Sequence, residues 1–399
     1  MEVFCLFLCL AFIPKRTQMR VNYRSAEDYI VAARVARTTQ SKFVKLIYPV
    51  LNVPTNDICN SILFHPVLGW DYPPNLVYQD YENVQYTHGS LGERITCTSF
   101  PRTLISTYGD SFVHCDEVRD QETWQTRLAE KIHSNVLNFG VGGYGPDQAY
   151  LKYVERGTKA PTPIVMLGLL PENINRVVNV FRTFYNFQDP MGLTKPRFLC
   201  RRTESVLLNN PITSRDELVK LEDPEFIRHI GENDYWYQLG LKRPSIHFPY
   251  TYSAIQWRRV IGQKLRESIT RQIPSYMAPV FSENLYDEEG PLATMCELMD
   301  RFVHTARQRG AVPVIVLMAH TDFIKEILEC GTMRYAPLAN YLRAKKYYFV
   351  DLNSEIARAK PSQALLDSLS RNHPRPEGNK RVADLLARYL AQHAFIRAH

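Results

Sequence analysis

Ser111 and His373 are the two residues of this sequence whose types best suit covalent chemistry. Ser111 lies in Gly109-Asp110-Ser111-Phe112, and His373 is followed by Pro374. A serine hydroxyl is a weak nucleophile until a base takes its proton, and histidine is the usual base near neutral pH. If the fold brings the two side chains together, the pair predicts acyl transfer.

Acyl transfer also needs hydrogen-bond donors where the oxyanion forms, each contributing roughly 3–4 kcal/mol. Ser111, through its backbone N–H, Gly143 and Asn173 are the candidates for this oxyanion hole. Gly143 has an alternative role as a glycine needed only for its backbone conformation. Asn173 has one as a helix cap.

A third group should orient the imidazole of the base. The nearest acid before His373 is Asp367, six positions earlier. Either Asp367 reaches the ring through a folded-back loop, or a backbone carbonyl orients a Ser–His dyad. We name Asp367 as the candidate third catalytic residue.

These residues follow apolar runs that alternate with helical patterns from about residue 101. The predicted strands are Thr103–Tyr108, Val136–Phe139, Ile164–Leu170, Val312–Ala319 and Tyr347–Leu352. Helices are predicted around 124–132, from Pro146, around 298–306 and over Pro376–His393. Such alternation predicts an α/β protein, a three-layer α/β/α sandwich with a parallel, flavodoxin-like sheet, plus an insertion. Ligands bind beyond the carboxyl ends of strands in such sheets, which is where the candidate residues lie.

Five regions differ in composition. Residues 1–20 hold an apolar segment, a possible signal or anchor. Residues 21–100 are predicted to form a lead-in packed on the core, with loops and short strands because prolines interrupt the sequence. Residues 101–184 and 291–399 carry the two parts of the core. Residues 185–290 break the alternation and are predicted as an insertion or cap, with a helix over Ala254–Ile273. The aromatic residues of this insertion suit either a sugar-binding cleft or a core.

The motifs resemble the conserved blocks of the SGNH (GDSL-like) hydrolases. Gly109-Asp-Ser-Phe112 matches the first block, Asn138 with Gly143 the second, and His373-Pro374 with Gly378-Asn379 the last. Leu68-Gly-Trp70 resembles a lead-in found in a bacterial branch. The resemblance covers about 65–180 and 310–395, and implies the sandwich fold and a serine nucleophile.

Two departures from the family pattern are visible. The family acid lies three residues before the histidine, where this chain has Ser370. The third block, often GxND, is stretched here to Gly168-Leu-Leu-Pro-Glu-Asn173. A literal GxND occurs at Gly231-Glu-Asn233-Asp234, but it lies inside the insertion, so we favour Asn173.

Other functional classes receive less support. The net charge of +7 comes from scattered bases, so no nucleic-acid surface is predicted. No CxxC pair is present, His114-Cys115-Asp116 is too contiguous for a metal site, and we expect no metal and no cofactor. Gly140–Gly145 spells GxGxxG, but it follows the second strand and lacks the ribose-binding acid of a dinucleotide fold.

The sequence therefore predicts a serine esterase that hydrolyses a carboxylic ester, possibly an O-acetyl group on a carbohydrate, through an acyl-serine intermediate. An acyltransferase with the same residues and a non-catalytic binding protein on the same fold are the alternatives. The predicted partner is a small-molecule or glycan ester. The apolar run Val3–Ile13 is too short to span a bilayer, so membrane association is predicted through the N-terminus only. The sequence leaves open the compartment, secreted, anchored or cytoplasmic, and the oligomeric state.

Overall fold

The structure, a computed structural model, describes most of the chain and all of the predicted core strands. The described residues are 1–12, 25–43, 45–46, 63–80, 83–187, 191–201, 204–242, 249–256, 258, 261, 284–369 and 373–396.

Among the described residues before the central sheet there are two helices and five short strands. They are α1 (Glu2–Phe12), α2 (Ala26–Phe43), β1 (Lys45–Leu46), β2 (Phe64–His65), β3 (Gly69–Trp70), β4 (Val77–Gln79) and β5 (Gln85–Thr87). β4 pairs with β1 and β5, and β2 with β3, all antiparallel. The short strands agree with the lead-in that the sequence predicts.

Helix α2 departs from that prediction, which had only loops and strands here. Ser25 begins the helix, because its hydroxyl accepts from Asp28 N and its N–H donates to the Asp28 carboxylate. Ala26, Tyr29, Ile30 and Ala33 are buried along one face at helical spacing. Two of these four are alanines, so the apolar stripe is weak in the sequence.

The first part of the core alternates strands and helices. Its elements are β6 (Thr103–Tyr108), α3 (Ser111–His114), α4 (Trp124–Ile132), β7 (Asn135–Asn138), α5 (Pro146–Arg156), β8 (Ile164–Leu169) and α6 (Ile174–Val177). β8 is buried at every residue, as a strand covered on both faces should be.

The described part of the region after α6 contains one hairpin and short helices. These are α7 (Arg182–Tyr185), β9 (Arg197–Arg201), β10 (Glu204–Leu208), α8 (Pro224–Gly231), α9 (Tyr235–Lys242) and α10 (Tyr250–Gln256). β9 and β10 pair antiparallel, apart from the central sheet. Of the helix predicted over Ala254–Ile273, the described part holds the end of α10, and residues 262–273 lie outside the described residues.

The second part of the core resumes the alternation. It consists of α11 (Glu289–Gln308), β11 (Val312–Leu317), α12 (Thr321–Cys330), α13 (Ala336–Ala344), β12 (Phe349–Asp351), α14 (Leu352–Arg358), α15 (Gln363–Ser368) and α16 (Pro376–Gln392).

The central sheet has the order β12-β11-β8-β6-β7, and every pairing in it is parallel. In chain order of the core strands this is 2-1-3-4-5, the flavodoxin-like arrangement. Helices α4 and α14 each contact α16 on one face, and α5 and α11 pack together on the other. The predicted three-layer α/β/α sandwich is confirmed.

Candidate active site

Ser111 is the first residue of α3, directly beyond the carboxyl end of β6. Asp110 caps this helix, with its Oδ1 accepting from Phe112 N at 2.9 Å. Gly109 lets the end of β6 approach β8 closely, since a Cβ on Gly109 would lie 2.4 Å from Gly168 O in β8. Among the described residues the Ser111 N–H has no hydrogen-bond partner. The serine therefore stands at a helix start with an open donor.

Gly143 lies in the turn between β7 and α5, and its φ of +79° is in the left-handed region that favours glycine. Trp70 of the lead-in supports this turn, because its indole N–H donates to Gly142 O at 2.9 Å and its own carbonyl accepts from Tyr144 OH at 2.5 Å. In the described part of the chain no hydrogen bond uses the Gly143 N–H. The turn therefore carries a second open donor.

Asn173 ends a 3-10 turn, Pro171–Asn173, directly after β8. Its amide Nδ2 donates to Asp110 Oδ2 at 2.8 Å, which joins the third candidate segment to the residue before Ser111. An amide nitrogen carries two N–H groups, so one donor is not used by this bond. Burial raises the pKa of Asp110, opposed by the nearby Arg176 guanidinium and by Asn173.

His373 lies against the residues that follow Ser111. Its ring centroid is 5.4 Å from that of Phe112. Its Nδ1 is 2.9 Å from Glu117 Oε1, and its Nε2 is 3.9 Å from Asp116 Oδ2. Within the described residues no hydrogen bond joins Ser111 Oγ to this ring. Catalytic hydrogen bonds are often long before substrate binds, so this geometry is compatible with a Ser–His pair.

Two opposing effects set the charge of His373. Burial alone would lower the pKa of the imidazole, but the hydrogen bond that its Nδ1–H donates to Glu117 and the charges of Asp116 and Glu117 raise the pKa above its usual value. The ring is therefore a stronger base than a free histidine.

An unusual loop holds Glu117 in place. Cys115 and Glu117 both adopt left-handed conformations, with φ of 65° and 70°. Such residues cost about 1–3 kcal/mol each and persist only where the surroundings fix them. Here the buried Arg94 donates to the carbonyls of residues 114, 115 and 118, and its Nε pairs with Asp120 at 2.8 Å. Tyr86 OH accepts from Glu117 N at 2.8 Å.

The residues after His373 tie its loop to the serine helix. Asn379 Nδ2 donates to Pro374 O at 3.2 Å, and the same amide's oxygen lies 3.8 Å from Cys115 Sγ. A Cβ on Gly378 would lie 2.5 Å from Ser368 O, so only glycine permits this approach of α16 to α15. The Gly-Asn pair of the last block thus positions the histidine.

Asp367 does not lie where the sequence predicts it, beside the imidazole of His373. It is an exposed residue of α15, and its Oδ1 accepts from Gln363 Nε2 at 2.8 Å. The acid at His373 Nδ1 is Glu117, so the structure gives the assignment of Asp367 no support. Ser370, where the family acid would stand, lies outside the described residues.

The literal GxND motif has a structural role. Asn233 is exposed. Asp234 is buried, its Oδ1 accepts from Trp236 N at 2.9 Å at the start of α9, and its Oδ2 accepts from Val180 N at 2.6 Å. Trp236 and Tyr237 are buried as well, which assigns these two aromatic residues to the core rather than to a cleft.

Glu117, Asp116 and Arg94 are the residues of this site that sequence reasoning missed. The available signal was two consecutive acids one turn after the serine helix, within Asp116-Glu117. Among the described residues no group of three or more His, Cys, Asp or Glu side chains is arranged to hold a metal ion. None of the helices in the described ranges is long and apolar enough to cross a membrane.

No protein-family model and no curated protein matches the chain. Solved structures do match. One is a member of the lipolytic protein G-D-S-L family from Veillonella parvula, at 11% identity, with 74% of this chain and 100% of that chain covered and a TM-score of 0.33. Another is a catalytic mutant of an acetylxylan esterase from Geobacillus stearothermophilus, at 11% identity, 76% and 100% coverage and a TM-score of 0.35. A third is TesA, at 8% identity, 73% and 99% coverage and a TM-score of 0.35. The G-D-S-L family is the one that the sequence around Ser111 resembles.

Proposed function

We propose that this protein is a serine hydrolase that cleaves a carboxylic ester through an acyl-serine intermediate, with Ser111 as nucleophile, His373 as base and Glu117 as the acid that orients the base. The 2.9 Å contact between His373 Nδ1 and Glu117 Oε1 carries the proposal. It gives the histidine the carboxylate partner that the sequence lacks at position 370. It also directs Nε2, the atom that must take the serine proton, away from Glu117.

The reaction begins when Ser111 Oγ attacks the ester carbonyl carbon while His373 Nε2 accepts the hydroxyl proton. The C–O bond to the leaving alcohol breaks, and the imidazolium returns the proton to that oxygen. Water then attacks the acyl-serine with the same histidine as base, and the carboxylic acid is released. Glu117 stabilises the imidazolium in both halves of the reaction.

The oxyanion would be bound by backbone donors that are open in the described structure. The N–H groups of Ser111 and Gly143 lack hydrogen-bond partners there. The second amide hydrogen of Asn173 is the third candidate donor, held by the bond of the first to Asp110. Loss of one such donor costs about 10²- to 10³-fold in kcat.

The nucleophile can be tested with a fluorophosphonate probe and an aryl acetate substrate. We expect the wild-type protein to be labelled and to hydrolyse the ester. Ser111→Ala should lose both properties, whereas Ser99→Ala, at an exposed serine, should keep them. Labelling that survives Ser111→Ala, or a wild type that neither labels nor turns over, would contradict the proposal.

A further assay addresses the acceptor. The same acyl-serine can be attacked by an alcohol instead of water. Including a sugar alcohol in the aryl acetate assay and measuring free acetate against acetylated sugar separates hydrolase from transferase. We expect free acetate to be the main product, and O-acetylated carbohydrate is the first natural substrate class to try.

A further inference from the structure

Two buried histidines continue the line of contacts that begins at the Nε2 side of His373. Asp116 Oδ2 is 3.9 Å from that nitrogen, and Asp116 Oδ1 contacts His114 Nδ1. His114 Nε2 lies 3.2 Å from His88 Nε2, and His88 Nδ1 lies 3.2 Å from the carbonyl of Leu76. This arrangement, His88–His114–Asp116, is called the relay chain below.

The terminal carbonyl fixes how many protons the relay chain needs. A carbonyl only accepts, so His88 Nδ1 must carry a proton, which leaves Nε2 of neutral His88 as an acceptor. His114 Nε2 must then donate to it. Neutral His114 is left with a bare Nδ1 that faces a carboxylate oxygen. Neither atom can donate, so this contact also needs a proton.

The three contacts therefore need three protons, one for each. Two neutral imidazoles and one carboxylate supply only two, so one extra proton is required. With that proton absent, either two ring nitrogens or a nitrogen and an oxygen would face each other with lone pairs only. Such a contact in a buried site costs the free energy of unsatisfied polar groups. The extra proton has three possible positions, on His88, on His114 or on Asp116.

The surroundings favour one end of the relay chain. His88 and His114 are 3% and 0% exposed, and Tyr72 covers both rings at centroid distances of 4.4 and 4.7 Å. Burial lowers the pKa of both histidines, and the Asp116 carboxylate opposes this for His114. The pKa of His114 stays below its usual value, as does that of Asp116, but of the two histidines only His114 has a carboxylate beside it. The contact between His114 and Asp116 is therefore the position at which the extra proton would be held. The other titratable or charged groups around the chain are Tyr72, Tyr78, Tyr86, Arg94, Lys152, Glu117 and His373.

We propose that His88, His114 and Asp116 share one proton and that this buried chain controls the charge facing Nε2 of His373. With this proton the relay chain has no net charge. Without it the relay chain carries one negative charge, which stabilises the imidazolium of His373. Within the neutral state the proton moves between His114 Nδ1 and Asp116 Oδ1, and the negative state forms when this proton is released to solvent. Asp116 acts here through His373, so it is a positioning residue, and this inference rests on the proposed role of His373 as base.

Nitrogen NMR of the full-length protein labelled with ¹⁵N-histidine tests the proton count directly. We expect His114 Nε2 to carry a proton and, over part of the pH range in which the protein is folded, His114 Nδ1 to share a second proton with Asp116. If His114 never shows protons at both ring nitrogens while the protein is folded, the inference is wrong. This measurement does not require ester hydrolysis. A protein without hydrolase activity would contradict the proposed function but would not affect the inference about the relay chain.

Two substitutions should move the pH profile of kcat/KM in opposite directions. Asp116→Asn supplies a neutral N–H donor to His114 and removes the carboxylate that faces His373, which is the negative end of the relay chain even when the three residues are neutral in sum. The acid limb should therefore shift down by about one pH unit. His114→Gln removes the group that shares the proton and leaves a bare carboxylate, so the limb should shift up by a similar amount.

A matched control is Asp322→Asn, which alters a carboxylate 3.8 Å from another buried histidine, His320. It should leave the NMR signals of His88 and His114 unchanged. A merely structural role for the relay chain predicts lower activity with no opposite displacement of the two profiles. Shifts in the same direction, or none, would rule out control of the charge by a shared proton.

Discussion

At the scale of single residues, the proposed acid, Glu117, comes from the segment that carries the proposed nucleophile, Ser111. Glu117 follows Ser111 by six positions, and a left-handed backbone with φ of 70° turns it toward His373. The side chain is 25% exposed, so it remains hydrated while it holds the ring. The two residues therefore lie on one short segment, six positions apart.

This predicts the effect of Glu117→Gln. The amide cannot stabilise the imidazolium, so kcat should fall by on the order of 10³-fold, with a smaller change in KM. Because Glu117 raises the pKa of His373, the acid limb of kcat/KM should also move to lower pH. Steady-state kinetics from pH 5 to pH 9 provide the measurement.

Asp367→Asn is the natural comparison for that variant. It alters an exposed carboxylate on α15, so the kinetics should stay close to those of the wild type. If Asp367→Asn were as damaging as Glu117→Gln, the assignment of the acid would have to return to Asp367.

The raised pKa of His373 has a consequence for the wild type. A base must be neutral to act, so activity should fall as the pH drops through that pKa. Since the pKa lies above its ordinary value of about 6.5, the midpoint of the acid limb should lie above that pH. A limb centred below pH 6 would contradict the arrangement of carboxylates around the ring.

The sequence was sufficient to nominate Ser111, Gly143, Asn173 and His373, because each follows a strand or starts a helix at one edge of the sheet. It was insufficient for Glu117. The distance from an acid to a histidine 256 positions away depends on two left-handed residues and on the arginine that fixes them. Neither feature leaves a pattern in spacing or hydrophobicity.

At the scale of elements, helix α16 sets where His373 stands. Gly378 lies in its first turns against the backbone of Ser368. An added methyl group 2.5 Å from a carbonyl oxygen must displace the helix or the loop. The position of the histidine is therefore linked to the contact between α15 and α16.

Gly378→Ala should consequently destabilise the fold by about 1–3 kcal/mol and reduce kcat. Gly290→Ala is the control, because a Cβ there has no neighbour within 4 Å and alanine favours the helix. Denaturant unfolding and ester hydrolysis, measured on both variants, check the difference. Equal stabilities would mean that α16 relaxes freely and that Gly378 does not position His373.

The elements themselves were largely predictable. β8 is a continuous apolar run and β6 a short run rich in β-branched residues, and the ends of both agree with prediction to within one residue. The sequence did not predict helix α2, because alanines supply much of its buried face and the helical spacing of apolar residues is therefore weak. The Ser25–Asp28 capping pair was the signal that could have revealed it.

At the scale of the whole molecule, the lead-in is bound to the core through buried charges. Asp71, just after β3, contacts Lys152 of α5 at 2.5 Å and Arg156 at 3.4 Å. Lys152 is fully buried, and its pKa is lowered by burial, which the carboxylate of Asp71 opposes. Removing one partner of such a pair leaves an uncompensated charge inside the protein.

Asp71→Ala should therefore lower the free energy of unfolding by about 3–5 kcal/mol. Glu217→Ala, which breaks the exposed pair with Lys220, should leave the denaturation midpoint nearly unchanged. Urea titration followed by tryptophan fluorescence provides the comparison. Similar midpoints for the two variants would show that the lead-in is not anchored by this pair.

The hydrogen bonds of Arg94 determine how short a fragment of the protein could be and still keep the proposed site. This arginine belongs to the lead-in, yet four of its contacts fix the loop that carries the acid. A shortened protein starting at the first core strand would keep serine and histidine but lose the brace behind Glu117. The unit proposed for catalysis is thus larger than the sandwich and includes the part of the lead-in that carries Arg94.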